Sequence, residues 1–119
     1  MSCIQKILNF QIEIKLHHWS TTSYAQHMAL GKLYETLDVL LDTFAETYIG
    51  IKGRGEVNEI KNLVFNGATK INIMNVLNSF EEYLKNEVEN ELAGETALLN
   101  IRDEMLASVQ QTKYLLTLS

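Results

Sequence analysis

The sequence predicts an all-α protein, a four-helix bundle in which a long crossover connection joins the second helix to the third. Proline is absent, and the good helix formers Leu, Glu, Lys, Ala and Met are plentiful. Apolar residues recur at three- and four-residue steps, and no stretch of any length alternates with the period of two that a strand needs. The chain has 119 residues, 46% of them hydrophobic, so it is expected to form one domain over 1–119 with a core that needs neither disulfides nor structural metal.

The first helix is expected over about residues 2–19, with Ile4, Ile7, Leu8, Phe10 and Ile14 facing inward. Ser20-Thr21-Thr22-Ser23 ends it, because these residues are poor helix formers and good N-caps, and the same segment can open the next helix. A second helix over about 24–49 places Leu30, Leu33, Tyr34, Leu37, Leu40, Leu41, Phe44 and Tyr48 on one stripe. Gly50, Gly53 and Gly55 are expected to break it.

From about 50 to 70 the pattern is weak, with Leu63-Val64-Phe65 as an apolar island before Asn66-Gly67, which suggests a long connection holding one small helix. A third helix is expected over about 71–92, carrying Ile73, Met74, Val76, Leu77, Phe80, Tyr83 and Leu84. Ala93-Gly94 turns tightly into a fourth over about 95–116. A link of roughly twenty residues can return the length of a bundle and leave helices two and three parallel. An irregular loop is the competing explanation.

Net charge of −5 with scattered Lys and Arg argues against nonspecific DNA binding. The first residues lack a signal-peptide pattern and no apolar run is long enough to span a bilayer, so the expectation is a soluble cytoplasmic protein without membrane contact. The single cysteine, Cys3, fits a reducing compartment and is expected to be a packed or idle thiol.

The residues that point to chemistry are His18 beside Trp19, then His27, Asp42 and Glu46 on the second helix. Imidazole and carboxylate suit iron that shuttles between ferrous and ferric states, with other divalent metals such as manganese or zinc open on the same donors. Asp42 and Glu46, four apart, can grip one ion together. His27 lies fifteen residues before Asp42, roughly 22 Å along a helix, so one chain cannot close the site. Two copies with antiparallel second helices about a twofold axis would bring His27, joined by His18, against the partner's acids, twice over. The strip His27, Gly31, Glu35, Asp38, Asp42 and Glu46 runs between the leucine stripe and a weaker surface of Met28, Val39 and Thr43, which suggests a homodimer contact there.

These residues resemble a known signature. The Leu16-His17-His18-Trp19 end of the first helix, the second histidine at His27, and Asp42, Ala45 and Glu46 at their spacings look like the DNA-protecting starvation (Dps) proteins of the ferritin superfamily. The run Asn100-Ile101-Arg102-Asp103-Glu104-Met105 with Tyr114-Leu115-Leu116-Thr117-Leu118 looks like the last helix of short Dps-like proteins of tailed bacteriophages. The likeness covers most of the chain and is strongest over 14–50. It implies a ferritin-like bundle and a ferroxidase site at a dimer interface, where His18 and His27 from one subunit and Asp42 and Glu46 from the other bind Fe(II) for oxidation by peroxide or oxygen. It also implies iron storage, a dodecameric cage, and a place in a phage-infected host cell or with a virion. The chain departs from the family in a segment between the histidines three residues shorter, in Gly31 where a carboxylate often stands, and in the missing basic tail.

Blander readings stand beside these. His17 reads as a packed histidine and stays outside the site. Glu35 and Asp38 either replace the missing carboxylate or face water, and Trp19 and Tyr24 read as core packing rather than as carriers of oxidising equivalents from iron. Glu81, Glu82 and Lys85 with Glu87, Glu89 and Glu91 read as a solvated, salt-bridged surface, and the methionines as core filler. Against the ferroxidase stands a protein of another class: a metal-free helical structural or host-interaction component of a phage that keeps the fold alone.

Overall fold

The computed structural model describes residues 2–65 and 72–118. These are all-α: α1 (Cys3–Ser20), α2 (Tyr24–Lys52), the short α3 (Gly55–Asn58), α4 (Ile73–Lys85), α5 (Glu87–Glu91) and α6 (Thr96–Leu116). Three of the starts are capped by side chains. Ser2 accepts from the Gln5 amide, Ser23 from Gln26 and Asn72 from Met74, each satisfying one of the amides that a helix start leaves without a partner.

Two boundaries differ from expectation. Helix α2 runs through Gly50 to Lys52 and is capped by Gly53, whose amide donates to the Ile49 carbonyl at 2.8 Å and whose φ of 84° then turns the chain out of the helix. A glycine inside a packed helix costs only about 1 kcal/mol, too little to stop it while Phe44 and Tyr48 hold the last turns to the core. The expected third helix is broken at Asn86 into α4 and α5. Asn66-Gly67, Lys70 and Ile71, on which part of the predicted connection and the predicted start of that helix fall, lie outside the described residues.

Helix α1 packs on α2 and α4, and α6 packs on α2, α4 and α5. Cross-helix contacts give the directions. His18 stacks on His27 while Gln11 bonds Asp38, so α1 and α2 are antiparallel. Phe10 stacks on Phe80 at 4.6 Å while Lys6 lies 4.6 Å from the ring centre of Tyr83, so α1 and α4 are antiparallel too. Helices α2 and α4 therefore run the same way. One core fills the centre, with Ile7, Ile14, Leu30, Leu37, Phe44, Leu77, Phe80, Leu84, Leu98 and Met105 fully buried. Cys3 belongs to it, and burial, with Glu91 and Glu56 nearby, pushes its thiol up to about 12, so it is packed and unreactive.

The acidic surface expected on the third helix is partly a set of ties between helices. Glu81 accepts from Lys113 of α6 at 2.8 Å, and Arg102 of α6 reaches Glu89 at 2.6 Å. Arg102 also donates to the Leu84 carbonyl at 2.8 Å, beside the break at Asn86, where the last turn of α4 leaves carbonyls without helical partners. Among the methionines, Met105 is core, whereas Met28 is exposed, because it lies on the side of α2 away from the leucine stripe. No described helix is long and apolar enough to cross a membrane.

Two stability predictions follow from these ties. Arg102→Met keeps the aliphatic stem but strands the Leu84 carbonyl, and should cost about 1–3 kcal/mol in denaturant unfolding; an unchanged midpoint would mean that the break at Asn86 does not depend on the guanidinium. The hydrogen bond from Lys113 holds the Glu81 carboxyl below its ordinary 4.5. That contribution is present above the ordinary value and disappears as pH falls through the lowered one. Lys113→Met should therefore lose stability at neutral pH, and the gap to the unmodified protein should close in acid.

Candidate functional site

The turn from α1 to α2 is only Thr21-Thr22-Ser23, and it is stiffened from within. The Thr21 hydroxyl donates to Gln26 Oε1 at 2.8 Å and accepts from the Ser23 amide at 3.2 Å. So tight a connection sets the last turn of α1 against the first turns of α2. There the His18 and His27 rings stack with centroids 4.0 Å apart and planes 14° from parallel.

The two histidines also bind each other's backbone. His18 Nδ1 lies 2.6 Å from the His27 carbonyl oxygen, and His27 Nδ1 lies 2.9 Å from the His18 carbonyl oxygen. A carbonyl oxygen can only accept, so both Nδ1 atoms carry the proton. In each neutral ring the lone pair is then on Nε2. This is the arrangement in which a metal-binding histidine is commonly held, with one ring nitrogen tied to a carbonyl and the other free to ligate.

Both rings open into a pocket of about 220 Å³ lined by Lys15, His18, His27, Met28, Gly31, Lys32 and Glu35. Lys15 sits 4.3 Å from the Tyr34 ring centre and 5.4 Å from that of Trp19, so its charge is held against aromatic faces. The two reserve carboxylates separate here. Asp38 accepts a hydrogen bond from the buried Gln11 at 3.1 Å and ties α1 to α2, whereas Glu35 lines the histidine pocket.

Asp42 and Glu46 lie on the outward face of α2, both exposed, several turns beyond the pocket. Among the described residues, no three His, Cys, Asp or Glu side chains converge as a metal site within the chain. The structure thus joins His18 to His27 and leaves the two acids elsewhere on the same helix. His17, by contrast, is buried, and burial lowers its pKa from 6.5, so it is a neutral packed side chain.

Trp19 and Tyr24 are not core residues: they are 66% and 76% exposed. Buried positions of α1 step through Ile7, Gln11, Ile14 and His17, and Trp19, two residues further, points about 200° away. Tyr24 is likewise off the stripe that begins at Leu30. With Met28 and Val39, also exposed, they border the outer face of α2 with apolar surface. Sequence reasoning missed the mutual locking of the histidines, because a side chain bonded to a backbone nine residues away leaves no periodic trace. The one available signal was the shortness of the segment between them.

If the stack and the two hydrogen bonds form one unit, His18→Ala and His27→Ala should be strongly non-additive in a double-mutant cycle, with a coupling of about 0.5–3 kcal/mol. Additive losses in thermal unfolding would show that the rings are merely neighbours.

A family model described as a family of unknown function (DUF5856) matches residues 18–116. No curated protein and no solved structure matches the chain.

Proposed function

The chain belongs to this DUF5856 family, and we propose that it is a ferritin-like, Dps-like iron-binding protein whose ferroxidase site forms between two copies. The reading rests above all on the paired histidines, each tied through Nδ1 to the other's carbonyl, which leaves the lone pair on Nε2 in two side chains that line one pocket. The wiring supports it as well. Helices α2 and α4 run parallel through a long connection, and each packs on both α1 and α6, as a ferritin-like bundle requires.

In this proposal the second helices of two copies lie antiparallel and cross near Glu35, about midway between His27 and the Asp42–Glu46 pair. Each site then takes His18 and His27 from one copy and Asp42 and Glu46 from its partner. Charge favours that pairing, because Lys15 and Lys32 flank the histidine pocket while the opposing patch is acidic. The exposed Met28 and Val39 would be covered on either side of the seam.

Ferrous iron is the substrate. Neutral imidazoles and carboxylates together accept both its ferrous and its ferric state, the carboxylates favouring the higher charge. Two ferrous ions give one electron each to hydrogen peroxide, which takes up two protons and leaves as two waters. Storage of the ferric product would require a closed shell such as a dodecamer, built through contacts other than this seam.

The two lysines, together with exposed Trp19 and Tyr24, favour a second reading: a metal-free helical structural or host-interaction protein that docks through the same face. One experiment separates the two. Protein purified without a histidine tag is titrated with Fe(II) under anaerobic conditions, peroxide is added, and ferric absorbance is followed, with light scattering on the same sample. The ferroxidase reading expects a dimer or larger assembly and a protein-dependent rise that drops roughly ten- to hundredfold in Asp42→Ala/Glu46→Ala. A monomer, or a rise unaffected by those substitutions, would remove it.

A further inference from the structure

Gly31 sits one turn beyond His27, inside the 29-residue helix α2. Its backbone is ordinary helix, so no positive φ calls for glycine there. Glycine is a poor choice for a helix interior, since alanine in the same place loses less backbone freedom on folding. The site explains it. A Cβ at position 31 would lie 2.8 Å from His18 Cε1, 3.2 Å from Nδ1 and 3.5 Å from Nε2.

An imidazole tip could ordinarily swing away from such a neighbour at little cost. This one is pinned on two sides, by the 2.6 Å hydrogen bond from its Nδ1 to the His27 carbonyl and by the stack on the His27 ring. Moving it away from a methyl group at 31 therefore breaks the lock rather than the helix.

We propose that Gly31 is the positioning residue of the histidine pair: the missing side chain is the space in which His18 lies when it locks onto His27. The missing carboxylate at this position is then the condition for placing His18, and not the mark of a lost site. The consequence for metal rests on the iron-binding reading; the steric claim about His18 does not.

The test is Gly31→Ala made in the unmodified protein and again in His18→Ala. Three quantities are read: Tm, the imidazole tautomers in long-range proton–nitrogen NMR, and affinity for Co(II) as the probe ion. In the unmodified background the helical circular dichroism should persist while Tm falls. His18 should lose its single Nδ1–H tautomer, and Co(II) binding should weaken about tenfold or more. In the His18→Ala background the same substitution should raise Tm, because only the better helix propensity of alanine remains.

A Tm change of the same sign in both backgrounds, or an unaltered His18 tautomer in Gly31→Ala, would overturn the proposal. Measurable but equal Co(II) affinity in the unmodified protein and the variant would overturn its consequence for metal. If the unmodified protein takes no Co(II) while tautomer and Tm behave as expected, the metal reading fails and the positioning role stands.

Discussion

Helix α2 is a rod, and its rigidity governs everything placed on it. At 1.5 Å per residue, fifteen residues keep His27 and Asp42 roughly 22 Å apart whatever their side chains do. The inward side of the rod, from Leu30 to Tyr48, is buried against α1 and α6, so it has no freedom to bend its ends together. The outward side carries, in order, a histidine pocket, Glu35, exposed Val39 and two exposed carboxylates. Donors fixed at such a distance serve a common ion only if a second body supplies the other half. For that reason the proposed chemistry and the proposed dimer are a single hypothesis.

Most of the scaffold was legible because helix signals are local. The cap at Ser23 and the three- and four-residue steps of the leucine stripe need no knowledge of distant contacts. The failures arose where tertiary structure outweighed a local rule. Gly50 carries the ordinary signal of a breaker, yet the burial of Phe44 and Tyr48 continues the helix across it. The break at Asn86 was hidden because Phe80, Leu84, Val88 and Leu92 keep an unbroken apolar pattern across it, and its stabiliser, Arg102, comes from another helix. Trp19 and Tyr24 were misplaced because large aromatics suggest a core by composition, whereas the helical register points both outward.

The histidine pair was legible as two residues and not as a geometry. His18 and His27 could be named together from the short turn between them. Nothing in their spacing indicated that each ring would bond the other's backbone, which fixes both tautomers and both lone pairs. Similarly, Glu35 and Asp38 were equivalent on the helical wheel. Gln11 on the facing helix distinguishes them, since it engages Asp38 and leaves Glu35 at the pocket.

The short turn and the glycine form one structural solution. With only Thr21-Thr22-Ser23 between helices, α1 ends directly over the second turn of α2, and His18 has no longer loop on which to stand away from it. Its ring must then occupy volume that a side chain at 31 would otherwise fill. A glycine there costs about 0.5–1 kcal/mol of helix stability, while the two hydrogen bonds it permits are worth about 0.5–1.5 kcal/mol each. The lock can therefore offset the glycine on its own, before any ion binds. That balance makes the paired imidazoles a standing feature of the folded chain, ordered before any ligand arrives.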